Sequence, residues 1–137
     1  MKRISCSLII YLLLISISSC GDKRKEQLTG IWHLQLMDIN GTQLQGNSIG
    51  NWLWEFNMEG GYLTDIAGAR EKGRYELKEN QLKLQPVKGN ESSRPGQTFT
   101  ISKLDSIHLD LVSIDGKNKT SLFFSKVKAS QVVGEKD

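Results

Sequence analysis

The sequence predicts an all-β domain, an eight-stranded antiparallel up-and-down barrel, preceded by an N-terminal export signal. After residue 28, apolar and polar side chains alternate with a period of two. The alternating segments are short, they recur at roughly 8–12-residue spacing, and turn-forming residues separate them. A two-sheet sandwich has the same pattern, but a closed barrel leaves no sheet edge open to aggregation.

Length and composition limit the class of protein. The 137 residues suit one domain, and the formal net charge is only +3. The hydrophobic fraction of 38% excludes a polytopic membrane protein. Two cysteines are too few for a disulfide framework or a four-thiolate zinc site.

Residues 1–19 have the layout of a cleaved signal peptide. Lys2 and Arg3 are followed by a run of apolar residues that ends at residue 17, and small residues come next. The most apolar part, residues 8–17, is too short to span a bilayer, which takes about 20 residues.

The end of this segment, Ile17-Ser18-Ser19-Cys20, resembles the bacterial lipobox. The resemblance implies that the Cys20 thiol is lipidated and that the chain is cut just before it. Cys20 would then attach the protein to a membrane, with no thiol left for a disulfide, a metal or catalysis. Gly21 is not the Asp that resembles an inner-membrane retention signal, so we expect the outer membrane, facing the periplasm or the cell surface.

The domain boundaries follow from these signals. Residues 20–27 are charged and have no apolar period, so we interpret them as a lipidated tether, with Lys23, Arg24 and Lys25 either solvated or near anionic head groups. Residues 28–128 form the predicted barrel. The polar residues 129–137 are predicted to be a flexible tail.

The first four strands are predicted at residues 32–37, 52–58, 62–66 and 72–78. Trp32, Leu34 and Leu36 share one face of the first. Residues 40–51 contain glycines and are read as an ordered loop rather than a helix. Gly60-Gly61 marks the turn before the third strand, and a loop at residues 67–69 precedes the fourth.

The last four strands are predicted at residues 81–85, 98–104, 107–114 and 120–127. Short turns at residues 79–80, 105–106 and 115–118 connect three of them to their neighbours. Pro86 ends the fifth strand because proline has no N–H for the ladder. A loop over residues 86–97 follows it.

The opening Leu28-Thr29-Gly30-Ile31-Trp32 resembles the Gly-x-Trp start of lipocalin-like domains. Trp54-Glu55-Phe56 with Gly60-Gly61-Tyr62 is similar to the second hairpin of small bacterial lipocalin-like lipoproteins. The resemblance implies a barrel closed at one end by Gly30 and Trp32. In larger lipocalins a late Arg packs over this Trp, whereas this chain offers Lys126 and Lys128.

Five aromatic side chains on predicted inner faces are the candidate ligand-binding residues. They could line a cavity for a small apolar ligand, or they could simply fill the barrel. They are Trp52, Trp54, Phe56, Tyr75 and Phe99.

The sequence points to no catalytic residue, metal site or cofactor. His33, His108 and Asp110 could in principle suit a transition metal, but their spacing favours surface histidines. Glu55 and Glu59 share a face that we expect to meet water. Neither a nucleophile elbow nor a phosphate loop occurs, and the lysines are too scattered for nucleic acid.

Asp105-Ser106-Ile107 resembles an O-glycosylation acceptor of exported bacterial proteins, which implies a modification at Ser106. Together the signals predict a non-enzymatic, outer-membrane-anchored lipoprotein that binds a small apolar ligand. The alternative is a structural or interaction module that recruits a protein partner in the cell envelope.

Overall fold

The computed structural model describes residues 19–87 and 95–128. Three predicted segments lie wholly or partly outside the described residues: the signal peptide up to residue 18, residues 88–94 of the 86–97 loop, and the tail over residues 129–137. The described residues contain one α-helix, one 3₁₀ turn at Gly46–Ser48 and nine strands: α1 Ser19–Leu28, β1 Gly30–Ile39, β2 Thr42–Gln45, β3 Trp52–Phe56, β4 Gly61–Ile66, β5 Ala69–Lys78, β6 Gln81–Pro86, β7 Gln97–Leu104, β8 His108–Asp115 and β9 Asn118–Lys126. The helix α1 is not long and apolar enough to cross a membrane.

Eight strands close into an antiparallel barrel, as predicted, and β2 is an additional strand. Each strand from β3 to β9 pairs with the next, and β9 returns to β1. Strand β1 begins beside β3, through Gly30 and Phe56, and ends beside β2, through Ile39 and Thr42. A register shift between Leu34 and Leu36 lets β9 follow its whole length.

The prediction of an ordered loop over residues 40–51 is wrong at residues 42–45, which form a strand. Asn40 and Gly41 both have positive φ, 53° and 89°, and turn β1 into the short strand β2. This Asn-Gly pair is a strong hairpin signal. The Asn40 side chain also accepts a hydrogen bond from the Lys119 N–H (2.8 Å) and donates one to Asn118 Oδ1 (3.0 Å). The hairpin is therefore fixed to the turn between β8 and β9.

The segment predicted as a tether is helical and contacts the barrel. Arg24 donates hydrogen bonds to the Glu79 carbonyl and to Asn80 Oδ1, in the turn between β5 and β6. Lys25 Nζ lies 5.9 Å from the centre of the Tyr75 ring, and Leu28 is completely buried. Helix α1 is held mainly by polar groups and one leucine. Its apolar residues therefore do not recur at helical spacing.

Gly30, Trp32 and Lys126 meet at the end of the barrel that α1 covers. Trp32 is fully buried, and its Nε1 donates to the Leu28 carbonyl at 2.7 Å. Lys126 Nζ lies 4.8 Å from the centre of the Trp32 ring and donates to the carbonyls of Gln27 (2.8 Å) and Thr29 (2.9 Å). Lys126 thus takes the place over the tryptophan where the resemblance implies an arginine.

Gly30 makes this arrangement possible. Its φ of +133° disfavours other residues, and a Cβ there would lie 3.3 Å from Lys126 Cε. Burial lowers the pKa of Lys126, and the two carbonyl acceptors and the indole face compensate the buried charge. This end of the barrel is closed by packing.

Aromatic rings fill the barrel beyond Trp32. Phe56 and Tyr75 meet edge to face with ring centres 5.3 Å apart. Trp54 packs on Phe99 at 5.6 Å and on Phe124 at 4.9 Å. Such pairs contribute about 0.5–1.5 kcal/mol each beyond the area that they bury.

Candidate functional site

An open cavity of about 1250 Å³ is bounded by β3, β4, β5, the end of β6 and the start of β7. Its lining extends from Ile66, Ala69, Pro86 and Gln97, at the strand ends away from α1, to Asn57 and Gly61, in the hairpin at the end that α1 covers. Alternation along these strands separates the side chains that face the barrel interior from those that face outward. The interior-facing members of the lining include Trp52, Trp54, Tyr62, Thr64, Glu71 and Leu84.

Two indoles form the apolar part of the wall. Trp52 and Trp54 lie two residues apart on β3 and share its inner face. Trp54 is only 4% exposed, whereas Trp52 is half-buried. Within the described residues, Trp54 Nε1 is buried and has no hydrogen-bond partner. An unsatisfied buried donor costs about 1–3 kcal/mol.

The polar part of the wall is centred on Glu71. Tyr62 donates its hydroxyl hydrogen to Glu71 Oε1 at 3.0 Å. Burial, and then the hydrogen bond and the charge of Glu71, raise the pKa of Tyr62 well above its usual value. The phenol therefore stays a donor at any physiological pH.

Gly73 lets the wall pack closely beside Glu71. A Cβ at this position would lie 2.1 Å from the Gln85 carbonyl oxygen and 2.8 Å from Tyr62 Cε1. The Tyr62 ring and the neighbouring strand thus occupy the space that any side chain would need.

Sequence reasoning missed Tyr62, Thr64, Glu71 and Gly73 as site residues. The predicted fourth strand began at residue 72, but β5 begins at Ala69. Extending the alternation of Tyr75 and Leu77 backwards by period two reaches Gly73 and Glu71. A glycine inside an alternating strand is itself a sign of close backbone approach.

The five predicted aromatic residues fall into two groups. Trp52 and Trp54 line the cavity, whereas Phe56, Tyr75 and Phe99 do not. Trp54 belongs to the packed interior as well, together with Phe56, Tyr75 and Phe99. Tyr75 also donates its hydroxyl hydrogen to the Asn57 carbonyl at 2.6 Å.

The two histidines lie on the outer face. His33 and His108 each pair with Ser125 on β9, so they flank it in one row. His33 Nδ1 lies 2.8 Å from Gln35 Nε2, and His108 Nδ1 lies 3.1 Å from Asp105 Oδ2. Across the described parts of the chain, no three His, Cys, Asp or Glu side chains are grouped to hold a metal.

The other predicted positions have distinct surroundings. Ser106 is exposed between β7 and β8. The Asp105 carboxylate accepts hydrogen bonds from the backbone N–H groups of Ile107 (2.8 Å) and His108 (2.7 Å), so it orders this turn. Burial raises the pKa of Asp110. Cys20 lies in the first turn of α1.

The fold is lipocalin-like. A solved lipocalin-like protein from Bacteroides uniformis is similar to this chain with a TM-score of 0.59 and 21% identity, over 74% of this chain and 99% of that one. An uncharacterized protein from Bacteroides eggerthii is similar with a TM-score of 0.58 and 17% identity, over 73% and 99%. No protein-family model and no curated protein matches the sequence.

Proposed function

We propose that this protein is a lipid-anchored binding protein of the cell envelope whose barrel takes up a small, largely apolar ligand. The observation that carries the proposal is the open cavity of about 1250 Å³ next to a packed and closed barrel end. Ligand pockets of about 300–1,000 Å³ already enclose drug-sized molecules, so the space is sufficient. The two indoles supply apolar contact area, and Tyr62, Thr64 and Glu71 supply a few polar groups.

We propose binding rather than catalysis. The interior-facing polar groups of the cavity are a protonated phenol, a hydroxyl and one carboxylate that the phenol already hydrogen-bonds. This set can orient a ligand. It does not combine an activated nucleophile with a base, which most hydrolytic sites need.

The anchor is proposed on the lipobox-like sequence that ends at Cys20. Helix α1 runs from Ser19 to Leu28, so Cys20 lies roughly 12 Å along the helix axis from Leu28. A lipid there would hold the end that α1 covers towards an outer membrane and leave the end of the cavity at Ile66, Ala69 and Pro86 facing away from it. The orientation would keep the opening accessible to a ligand from the periplasm or the cell surface.

Binding is tested with the neutral fluorophore N-phenyl-1-naphthylamine, by energy transfer from tryptophan. We expect saturable binding that the Trp52→Ala variant weakens by about tenfold, because an indole contact is lost. The control is Ile114→Ala, which changes an outer side chain that is 72% exposed. Absence of saturable binding, or equal affinities in both variants, would reject the proposal.

The anchor is tested separately by growing cells that express the full chain with labelled palmitate. We expect label in the outer-membrane fraction for the wild type and for Cys6→Ser. Cys20→Ser should lose it. Label that persists in Cys20→Ser, or an unlabelled wild type, would show that Cys20 is not the anchor.

A further inference from the structure

We infer that the cavity prefers an apolar ligand with a positively charged group, such as an ammonium, over an apolar anion such as a fatty acid. The inference rests on the proposed function, because it names the ligand class of the same cavity. The charged side chains around the opening of the cavity support it.

Glu71 is the one charged side chain of the cavity lining that alternation directs inward. It pairs with Thr64, which is buried, and its carboxylate reaches the hydroxyl of the buried Tyr62. Glu55 and Lys72 are exposed and occupy the alternate, outward positions, in one row with Leu63. Alternation therefore directs the Lys72 cation to the opposite face of the sheet from Glu71.

Arg70 is the remaining cation of the lining, and it is already paired. Its Nε lies 3.1 Å from Asp65 Oδ2, and three quarters of its side chain is exposed. No Lys, Arg or His nitrogen of the described residues lies within 4 Å of the Glu71 carboxylate. Glu71 thus faces the cavity without a protein cation.

Only one oxygen of the half-buried Glu71 carboxylate has a hydrogen-bond partner in the described part of the chain. Tyr62 donates to Oε1, while Oε2 has no hydrogen-bond partner among the residues that the structure describes. A carboxylate that loses water gains most from a cation that also donates a hydrogen bond. An ammonium group in the cavity would supply both, whereas a ligand carboxylate would meet a like charge.

The indoles favour the same ligand class. The faces of aromatic rings attract cations, and tryptophan does so most strongly. Trp52 and Trp54 stand on β3, next to the strand that carries Tyr62 and one strand further from Glu71. A ligand with an ammonium at Glu71 can therefore place its apolar chain along the indole wall.

The test compares three twelve-carbon amphiphiles below their micellar concentrations: dodecyltrimethylammonium, dodecanol and dodecanoate. Dodecylamine is added as a cation that can donate hydrogen bonds. Tryptophan quenching gives the affinity of each for the wild type. We expect both cations to bind at least about tenfold more tightly than dodecanoate. Dodecanol should lie between them.

Glu71→Gln removes the charge and keeps an acceptor for Tyr62. In this variant we expect the preference for cations to disappear while the affinity for dodecanol stays the same, which also shows that the barrel is intact. Glu76→Gln is the matched control, since it removes an exposed, outward carboxylate from the same strand as Glu71 but outside the cavity lining, and it should leave the preference unchanged.

The outcomes separate the inference from the proposal on which it rests. If none of the amphiphiles binds, the binding function fails and the inference fails with it. If dodecanol binds but dodecanoate equals the cations, the inference alone is overturned. The same holds if Glu71→Gln leaves the preference intact or if Glu76→Gln abolishes it.

Discussion

Two buried tryptophans that differ in one hydrogen bond should respond very differently to the same substitution. Trp32 Nε1 donates to the Leu28 carbonyl at 2.7 Å, whereas Trp54 Nε1 is buried without a partner in the described structure. Changing each to phenylalanine removes the same atoms, so the losses of buried area and of packing are similar. The polar contributions have opposite signs.

Trp32→Phe leaves the Leu28 carbonyl without its donor, which costs about 1–3 kcal/mol. It also weakens the contact of Lys126 with the ring, worth about 0.5–2 kcal/mol. Trp54→Phe instead removes an unsatisfied donor and recovers about 1–3 kcal/mol of its desolvation cost. We therefore expect Trp32→Phe to lower the free energy of unfolding by at least about 2 kcal/mol more than Trp54→Phe.

Equilibrium unfolding in urea, followed by circular dichroism of the backbone, measures both losses by linear extrapolation. Far-ultraviolet detection avoids the change in tryptophan fluorescence. Losses that agree within about 0.5 kcal/mol would refute the assignment of a satisfied and an unsatisfied indole. A larger loss in Trp54→Phe would do the same.

Two further substitutions test the cavity wall and the turn between β7 and β8. Gly73→Ala should prevent folding or cost more than about 3 kcal/mol, because its Cβ would collide with the Gln85 carbonyl oxygen at 2.1 Å. Gly116→Ala, at a position with a φ of +58° and open space around it, should lower the free energy of unfolding by only about 1–2 kcal/mol. Equal urea midpoints for the two variants would contradict this difference. The backbone N–H of Ile107, with further hydrogen bonds from the next residue, lowers the pKa of Asp105 from 3.8 to about 2. Since the folded-state pKa is lowered, this stabilisation is complete above about pH 4 and is lost as the pH falls towards 2. Asp105→Asn should therefore lose stability relative to the wild type at pH 5 but less at pH 2, and a constant difference would refute the assignment.

Much of the barrel is predictable because strand formation depends on residues that are close together in the sequence. A period of two in apolar residues is set by the strand geometry itself, so β3 to β9 are found near their predicted places. The Asn40-Gly41 pair also predicts the hairpin from β1 to β2, which the prediction of an ordered loop over residues 40–51 does not include. Helix α1 is not predicted by its own sequence, because Arg24 and Lys25 contact groups that are at least fifty residues away along the chain.

The sequence by itself determined the strand pattern and the aromatic inner faces, since each depends on neighbours along the chain. Only the tertiary structure decided which aromatic residues pack and which line the cavity. Phe56 on β3 meets Tyr75 on β5, two strands away, whereas Trp52 has no ring partner among the described aromatic pairs. Strand register and closure set these meetings, and they place Glu71 beside Tyr62. A pattern along one strand cannot specify what stands across a barrel.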